Sequence, residues 1–192
     1  MTLLAEATAA LRGCWRLVME PDYDFSDFNI SIAGFWRSFA AIVPLAVLAY
    51  PLFLSSNGID GEIAVANGGM PPPLDLVACY LYLCAAVILW PVVAAILARL
   101  FGVTQHYVRY IIVYNWMSVP SLIIGLVPHV VHLTTGNSGA SFMIMSLIVL
   151  AVLAYVSWFV ARRALAAGAA IAAAFVIADY ASGYGLQALF GV

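Results

Sequence analysis

Five apolar stretches dominate this chain, at residues 35–54, 74–100, 107–133, 140–161 and 164–190. Charged residues fall at their ends or between them, with the exception of Asp179. A helix needs about 20 apolar residues to cross the hydrocarbon core of a bilayer. The pattern therefore predicts an all-α, polytopic integral membrane bundle of five transmembrane helices. The links at 102–106 and 134–139 are short enough to force antiparallel neighbours, and Arg162-Arg163 marks a still tighter turn. Residues 55–73, rich in Gly, Asn and Pro, predict an irregular loop.

The first 34 residues follow a different rhythm. Leu4, Ala7, Leu11, Trp15 and Val18 recur at spacings of three and four, with Glu6, Arg12 and Arg16 on other faces. This predicts an N-terminal amphipathic helix over residues 3–19. Such a helix either lies in the membrane interface with Trp15 at headgroup level or docks against the ends of the spans, and the two are compatible. A segment in which Glu20, Asp22, Asp24 and Asp27 alternate with aromatic residues follows. It serves either as a partner-binding segment or, more plainly, as a counter-charge to the five arginines further along. Residues 1–34 thus form a cytoplasmic arm, and residues 35–192 the membrane domain.

Composition agrees with lipid as the solvent. Of 192 residues 66% are hydrophobic and 8% charged, and the mean hydropathy is +1.06. A soluble domain carries about a quarter charged residues. No room is left for a separate soluble domain, and no basic stripe of the sort that nucleic acid requires is present. The first charge is Glu6 and no apolar run precedes Arg12, so a cleaved signal is not expected. Cys14, Cys79 and Cys84 have neither metal nor CxxC spacing and read as apolar filling.

The charge distribution orients the bundle. All seven basic residues are arginines: Arg12, Arg16 and Arg37 precede span one, Arg99 and Arg109 flank the turn between spans two and three, and Arg162 and Arg163 separate spans four and five. The opposite loops carry Asp60, Glu62 and Asp75 or no charge. The positive-inside rule then expects a cytoplasmic N-terminus and an exterior C-terminus. Trp15, Phe35, Trp36, Arg37, Arg99, Arg109, Arg162 and Arg163 are the expected membrane anchors. Arginine without lysine, together with abundant alanine, points to a GC-rich bacterial genome and so to the cell inner membrane.

Few residues offer chemistry. Pro44, Pro51, Pro91, Pro120 and Pro128 lie within spans one to three, where each frees a backbone carbonyl that neighbours such as Ser118 and Ser121 can satisfy. Ala164, Gly168 and Ala172 give span five a small-residue face, which predicts the tightest packing of the five or a homo-oligomer contact. Asn115 reads as an interhelical hydrogen-bonding residue. Asp179 is the one intramembrane acid. At 1.5 Å per residue it lies about 24 Å above Arg163, with Tyr82 about 25 Å above Arg99 and His129 about 30 Å above Arg109. Asp179, Tyr82 and His129 are thus a candidate intramembrane polar cluster; the alternative is an interfacial Asp179 reached by water beside Gly183 and Gly185. His129 and His132 share a face without a third ligand, so no metal or other cofactor is implied. No catalytic motif is found.

Two stretches, residues 25–39 (FSDFNISIAGFWRSF) and 107–116 (YVRYIIVYNW), together with the five-span topology, make the chain similar to bacterial proteins related to the Yip family of Ypt/Rab-GTPase-interacting membrane proteins. The resemblance implies a non-catalytic helical scaffold with a cytosolic arm. The acidic-Tyr-Gly-Pro motif of the eukaryotic members is not recognisable here, and a bacterium lacks the Rab partner. The leading expectation is therefore a scaffold or membrane-organising protein, with the lipid bilayer and other membrane proteins as partners. A small transporter or channel built on the kinked spans and Asp179 is the alternative, and a lipid-modifying membrane enzyme the third. A polar cavity reaching Asp179 would favour the transporter, a polar cluster near one interface the enzyme, and a closed apolar bundle the scaffold.

Overall fold

A computed structural model describes residues 2–191. The described residues form seven α-helices and no strand: α1 (Leu3–Met19), α2 (Ile32–Ser38), α3 (Ile42–Ala66), α4 (Leu76–Leu100), α5 (Tyr107–Thr135), α6 (Ala140–Ala164) and α7 (Ala169–Phe190). Single 3-10 turns at Phe39–Ala41 and Thr104–His106 lead into α3 and α5. Five helical segments, Ile32–Ala66, Leu76–Leu100, Thr104–Thr135, Ala140–Ala164 and Ala169–Phe190, are long and apolar enough to cross a membrane. This is a multi-pass membrane architecture.

Side-chain caps set several boundaries. Ser31 accepts from the Gly34 amide at 3.0 Å and opens α2, and Asp75 accepts from the Ala78 amide at 2.9 Å and opens α4. Gly136 (φ 66°) closes α5 in the left-handed conformation that a glycine adopts without strain.

The five long helices pack in the cyclic order α3–α4–α7–α6–α5, and α5 also carries α1 and α2. Of the most apolar 18 residues in each span, 50% are buried in α5 but only 11% in α7. The small-residue face of span five therefore does not produce the tightest packing. Ala164 ends α6 and Gly168 caps α7, so of the three only Ala172 lies within the helix, which begins at Ala169. Large apolar side chains elsewhere, such as Val47, Leu81, Ile88, Leu147 and Ile177, face outward. That inside-out distribution suits a lipid solvent.

The segment expected as a loop from Ser55 is helical as far as Ala66. Ser55, Asn57 and Glu62 have partners on neighbouring elements, which turns a loop-like composition into a helical extension. Ser55 Oγ lies 2.9 Å from His132 Nδ1 and 3.0 Å from His129 Nδ1. His132 Nε2 is 3.4 Å from a Glu62 oxygen, and Ser138 donates to the other.

The arm is folded against the arginine-rich end. Glu6, Ala10, Gly13, Cys14 and Leu17 form the inward face of α1, while Leu4, Leu11, Trp15 and Val18 stay exposed. Tyr23, Phe25 and Phe28 are buried; of the acids between them, Asp27 pairs with α1 rather than with the downstream arginines, and Asp24 accepts from the Ser26 amide at 3.0 Å. Asp27 accepts from Arg12 at 2.9 Å, Arg16 at 2.7 Å and Tyr23 Oη at 3.1 Å, while Glu20 binds Arg16. Two downstream arginines instead meet aromatic rings and carbonyls. Arg109 stacks over Phe25 at 4.8 Å, and Arg163 donates to the Tyr23 carbonyl at 3.2 Å. Buried Glu6 links Asn29 to Arg37, which joins α1 to the start of span one.

This network predicts a pH window for arm docking. Burial works to raise Asp27, but hydrogen bonds from Arg16, Arg12 and Tyr23 outweigh it and hold the carboxyl below its ordinary value. Burial, with Asp27 alongside, pushes the Tyr23 hydroxyl up to about 12. Asp27's contribution is complete above about pH 3.9 and is lost as pH falls towards its lower folded value. Tyr23's contribution is complete below about pH 10 and is lost as pH rises through its folded value. Hydrogen exchange at the Phe28 amide, corrected for its intrinsic pH dependence, should be slow between these limits and accelerate beyond both. Uniform protection across the whole range would show that these two groups do not hold the arm.

Candidate functional site: a polar cavity among the spans

Kinks and tyrosine hydroxyls shape the interior. Pro51, Pro91, Pro120 and Pro128 all sit inside helices, whereas Pro44 falls in the first turn of α3. Tyr80 donates to the Ala46 carbonyl at 3.2 Å and Tyr107 to the Pro91 carbonyl at 2.9 Å, fastening α4 to α3 and α5 to α4. Ser118 bonds back to the Tyr114 carbonyl at 2.9 Å instead of the Trp116 carbonyl freed by Pro120, and Ser121 lines the cavity described next.

Between the five spans lies a cavity of about 430 Å³. Every span contributes: Leu45 and Leu52 from α3, Tyr82 and Trp90 from α4, Tyr114 and Asn115 from α5, Ser157 from α6, and Asp179 and Tyr180 from α7. A second opening of about 280 Å³ shares Tyr82, Asp179, Tyr180 and Gly183 and adds Tyr184 and Gln187 towards the C-terminal end of α7. The volume falls within the roughly 300–1,000 Å³ usual for small-molecule sites.

Asp179 is the charged group of the cavity. The Tyr114 hydroxyl lies 2.9 Å from each of its carboxyl oxygens and donates to them. No arginine or histidine pairs with it among the described residues. Towards α2, Asn115 Nδ2 donates to Ser38 Oγ at 2.8 Å, and Ser38 donates to the Phe35 carbonyl at 2.7 Å. Asn115 thus makes an interhelical bond, to α2. Trp90, Tyr110, Tyr114 and Phe175 pack edge-to-face or tilted against one another beside the cavity. The Trp90 indole N–H has no partner among the described residues.

The candidate cluster of Asp179, Tyr82 and His129 is therefore divided. Asp179 and Tyr82 line one cavity. His129 belongs to the Ser55–His132–Glu62 network at the other end of α5, and the hydrogen-bond partner of Asp179 is Tyr114. The Ser55–His132–Glu62 order is that of a nucleophile relay, but Ser55 has 0% exposure and lines neither opening. This network pins the α3 extension to α5. No group of three metal-ligating side chains is present among the described residues.

The anchors occupy varied settings. Trp15 and Trp36 are exposed, as are Arg99 and Arg162, while Phe35 packs on Trp36, Phe39 and Tyr107. Arg162 lies over Trp158 at 5.3 Å. Arg109 does not reach out as a snorkelling anchor; its Nε donates to the Ala164 carbonyl at 2.7 Å and caps α6, whose last carbonyls lack helical donors. Comparison with protein-family models, characterised proteins and solved structures gives no match.

Proposed function

We propose that this protein is a non-catalytic, solute-binding membrane protein of the small transporter or channel type, with Asp179 in its pathway. One observation carries the reading: a polar cavity reaches an intramembrane carboxylate, where a pure scaffold would present a closed apolar bundle. The arginine distribution supports a cytoplasmic N-terminus and an exterior C-terminus, so the opening at Tyr184 and Gln187 faces outward. The exposed Leu4, Leu11, Trp15 and Val18 stripe suits α1 lying in the cytoplasmic interface of a bacterial inner membrane, its other face docked on the bundle. A Yip-like scaffold is the second reading, favoured by the folded arm, which offers partners a preformed surface.

Thiol accessibility tests the first reading. In a protein with Cys14, Cys79 and Cys84 replaced by alanine, Gly183→Cys and Ser157→Cys place thiols in the cavity, and Leu147→Cys places one on the lipid face. A membrane-impermeant thiol reagent added outside should modify the first two and spare the third. If all three are equally unreactive, the bundle is closed and the scaffold reading takes over.

A further inference from the structure

We infer that the cavity is a binding site for a small monovalent organic cation, with Asp179 as its counter-charge and the rings of Tyr82, Trp90, Tyr114 and Tyr180 as its walls. The inference rests on the solute-binding reading and names the class of solute. Its first ground is an unbalanced charge. A carboxylate in the membrane interior must be neutral or paired, and among the described residues no arginine or histidine pairs with it. Arg12, Arg16 and Arg37 pair with acids of the arm, while Arg109 and Arg163 bind backbone carbonyls at the same end. The only hydrogen-bond donor to the carboxyl oxygens among the described residues is the Tyr114 hydroxyl, although a carboxylate offers about four acceptor positions. A positive charge brought by a ligand completes the site.

The second ground is the wall. Three tyrosines and a tryptophan line the same cavity as the carboxylate. Aromatic faces attract ammonium groups within about 6 Å, most strongly where water is excluded, and aromatic cages around quaternary ammonium ligands use this chemistry. The third ground is size and polarity. A cavity of about 430 Å³ is far larger than a proton relay requires, and Leu45, Leu52, Leu83 and Val87 leave much of it apolar. Hard metal cations take shells of six or more oxygen ligands, and Asp179 is the one carboxylate in the lining. An alkylated ammonium group matches all three features: one positive charge, an apolar body and a volume above that of a bare ion.

The test is binding to the full-length protein in lipid nanodiscs by titration calorimetry. The probes are methylammonium, tetramethylammonium and choline, with 3,3-dimethylbutan-1-ol as the uncharged counterpart of choline. At least one cation should bind saturably, and the alcohol should bind roughly tenfold more weakly or worse. Asp179→Asn, which keeps an acceptor for Tyr114, should weaken cation binding by a similar factor. Tyr82→Leu should weaken it as well, while Tyr82→Phe, with its ring retained, should stay close to wild type. The Tyr82 pair keeps the test decisive even if Asp179→Asn misfolds. Cation binding that is indifferent to both positions would overturn the inference. So would binding of the alcohol alone, or no binding of any probe to the unlabelled protein when separate variants show the cavity cysteines to be reactive; in these cases the solute-binding reading survives without a cationic ligand. Unreactive cavity cysteines would remove both.

Discussion

Replacing Gly34 with alanine is expected to displace the arm from the bundle and to destabilise the protein by about 3 kcal/mol or more, at or beyond the upper end of ordinary overpacking. A Cβ at this position would stand 1.8 Å from the Asn29 carbonyl oxygen and 2.9 Å from the Asn29 carbonyl carbon. Both are backbone atoms, so no rotamer change relieves the contact. The segment that must move carries the Ser31 cap of α2 and the Asn29–Glu6–Arg37 linkage. Thermal unfolding in detergent, combined with limited proteolysis between residues 20 and 31, reads both effects. A variant with wild-type stability and protease resistance would mean that the close approach of α2 to Asn29 is wrong.

Asp179 carries the second large effect, and its two substitutions should part. Asp179→Asn retains an oxygen acceptor for the Tyr114 hydroxyl and should unfold close to wild type. Asp179→Leu leaves that hydroxyl without its partner inside the bundle, at a cost of about 1–3 kcal/mol. Detergent melting curves of the three proteins decide the matter. Identical midpoints for all three would show that the Tyr114–Asp179 bond does not hold α5 to α7.

The helical, five-span character was legible because lipid imposes a strong rule: every backbone polar group must be satisfied within the span, and long apolar runs announce it. Tertiary partners were not legible to the same degree. Residues 55–66 carry the Gly, Asn and Ser content of a loop, yet His129, His132 and Ser138 supply polar partners that keep the segment helical. The small-residue face of span five could not announce that its first two members lie outside the helix.

The polar cluster was half legible, and the error has a geometric source. Counting Asp179's height from Arg163 includes residues 165–168, which turn rather than climb. Counted from Ala169, Asp179 stands about 15 Å up, not 24 Å. Arg109 is level with Ala164, to whose carbonyl it is bonded. Tyr114 is then about 8 Å up, within reach of Asp179 through two side chains, whereas His129 at about 30 Å is far beyond it. Anchoring the ruler at the Arg109–Ala164 contact finds the right tyrosine, but that contact is invisible in the sequence. Gly13 was equally silent: it clears space for Phe28 and Tyr23, either of which would stand 2.8 Å from a Cβ there, and so lets the aromatic segment dock on α1.

The central claim is that Asp179 stands in a cavity open to the outside. Infrared difference spectroscopy on oriented proteoliposomes, wild type against Asp179→Asn, isolates its carboxyl band while the external pH is stepped from acid to alkali. The cavity predicts that this band interconverts between its protonated and ionised forms promptly with external pH. A band that stays fixed while external pH changes would place Asp179 in a sealed bundle and contradict the account.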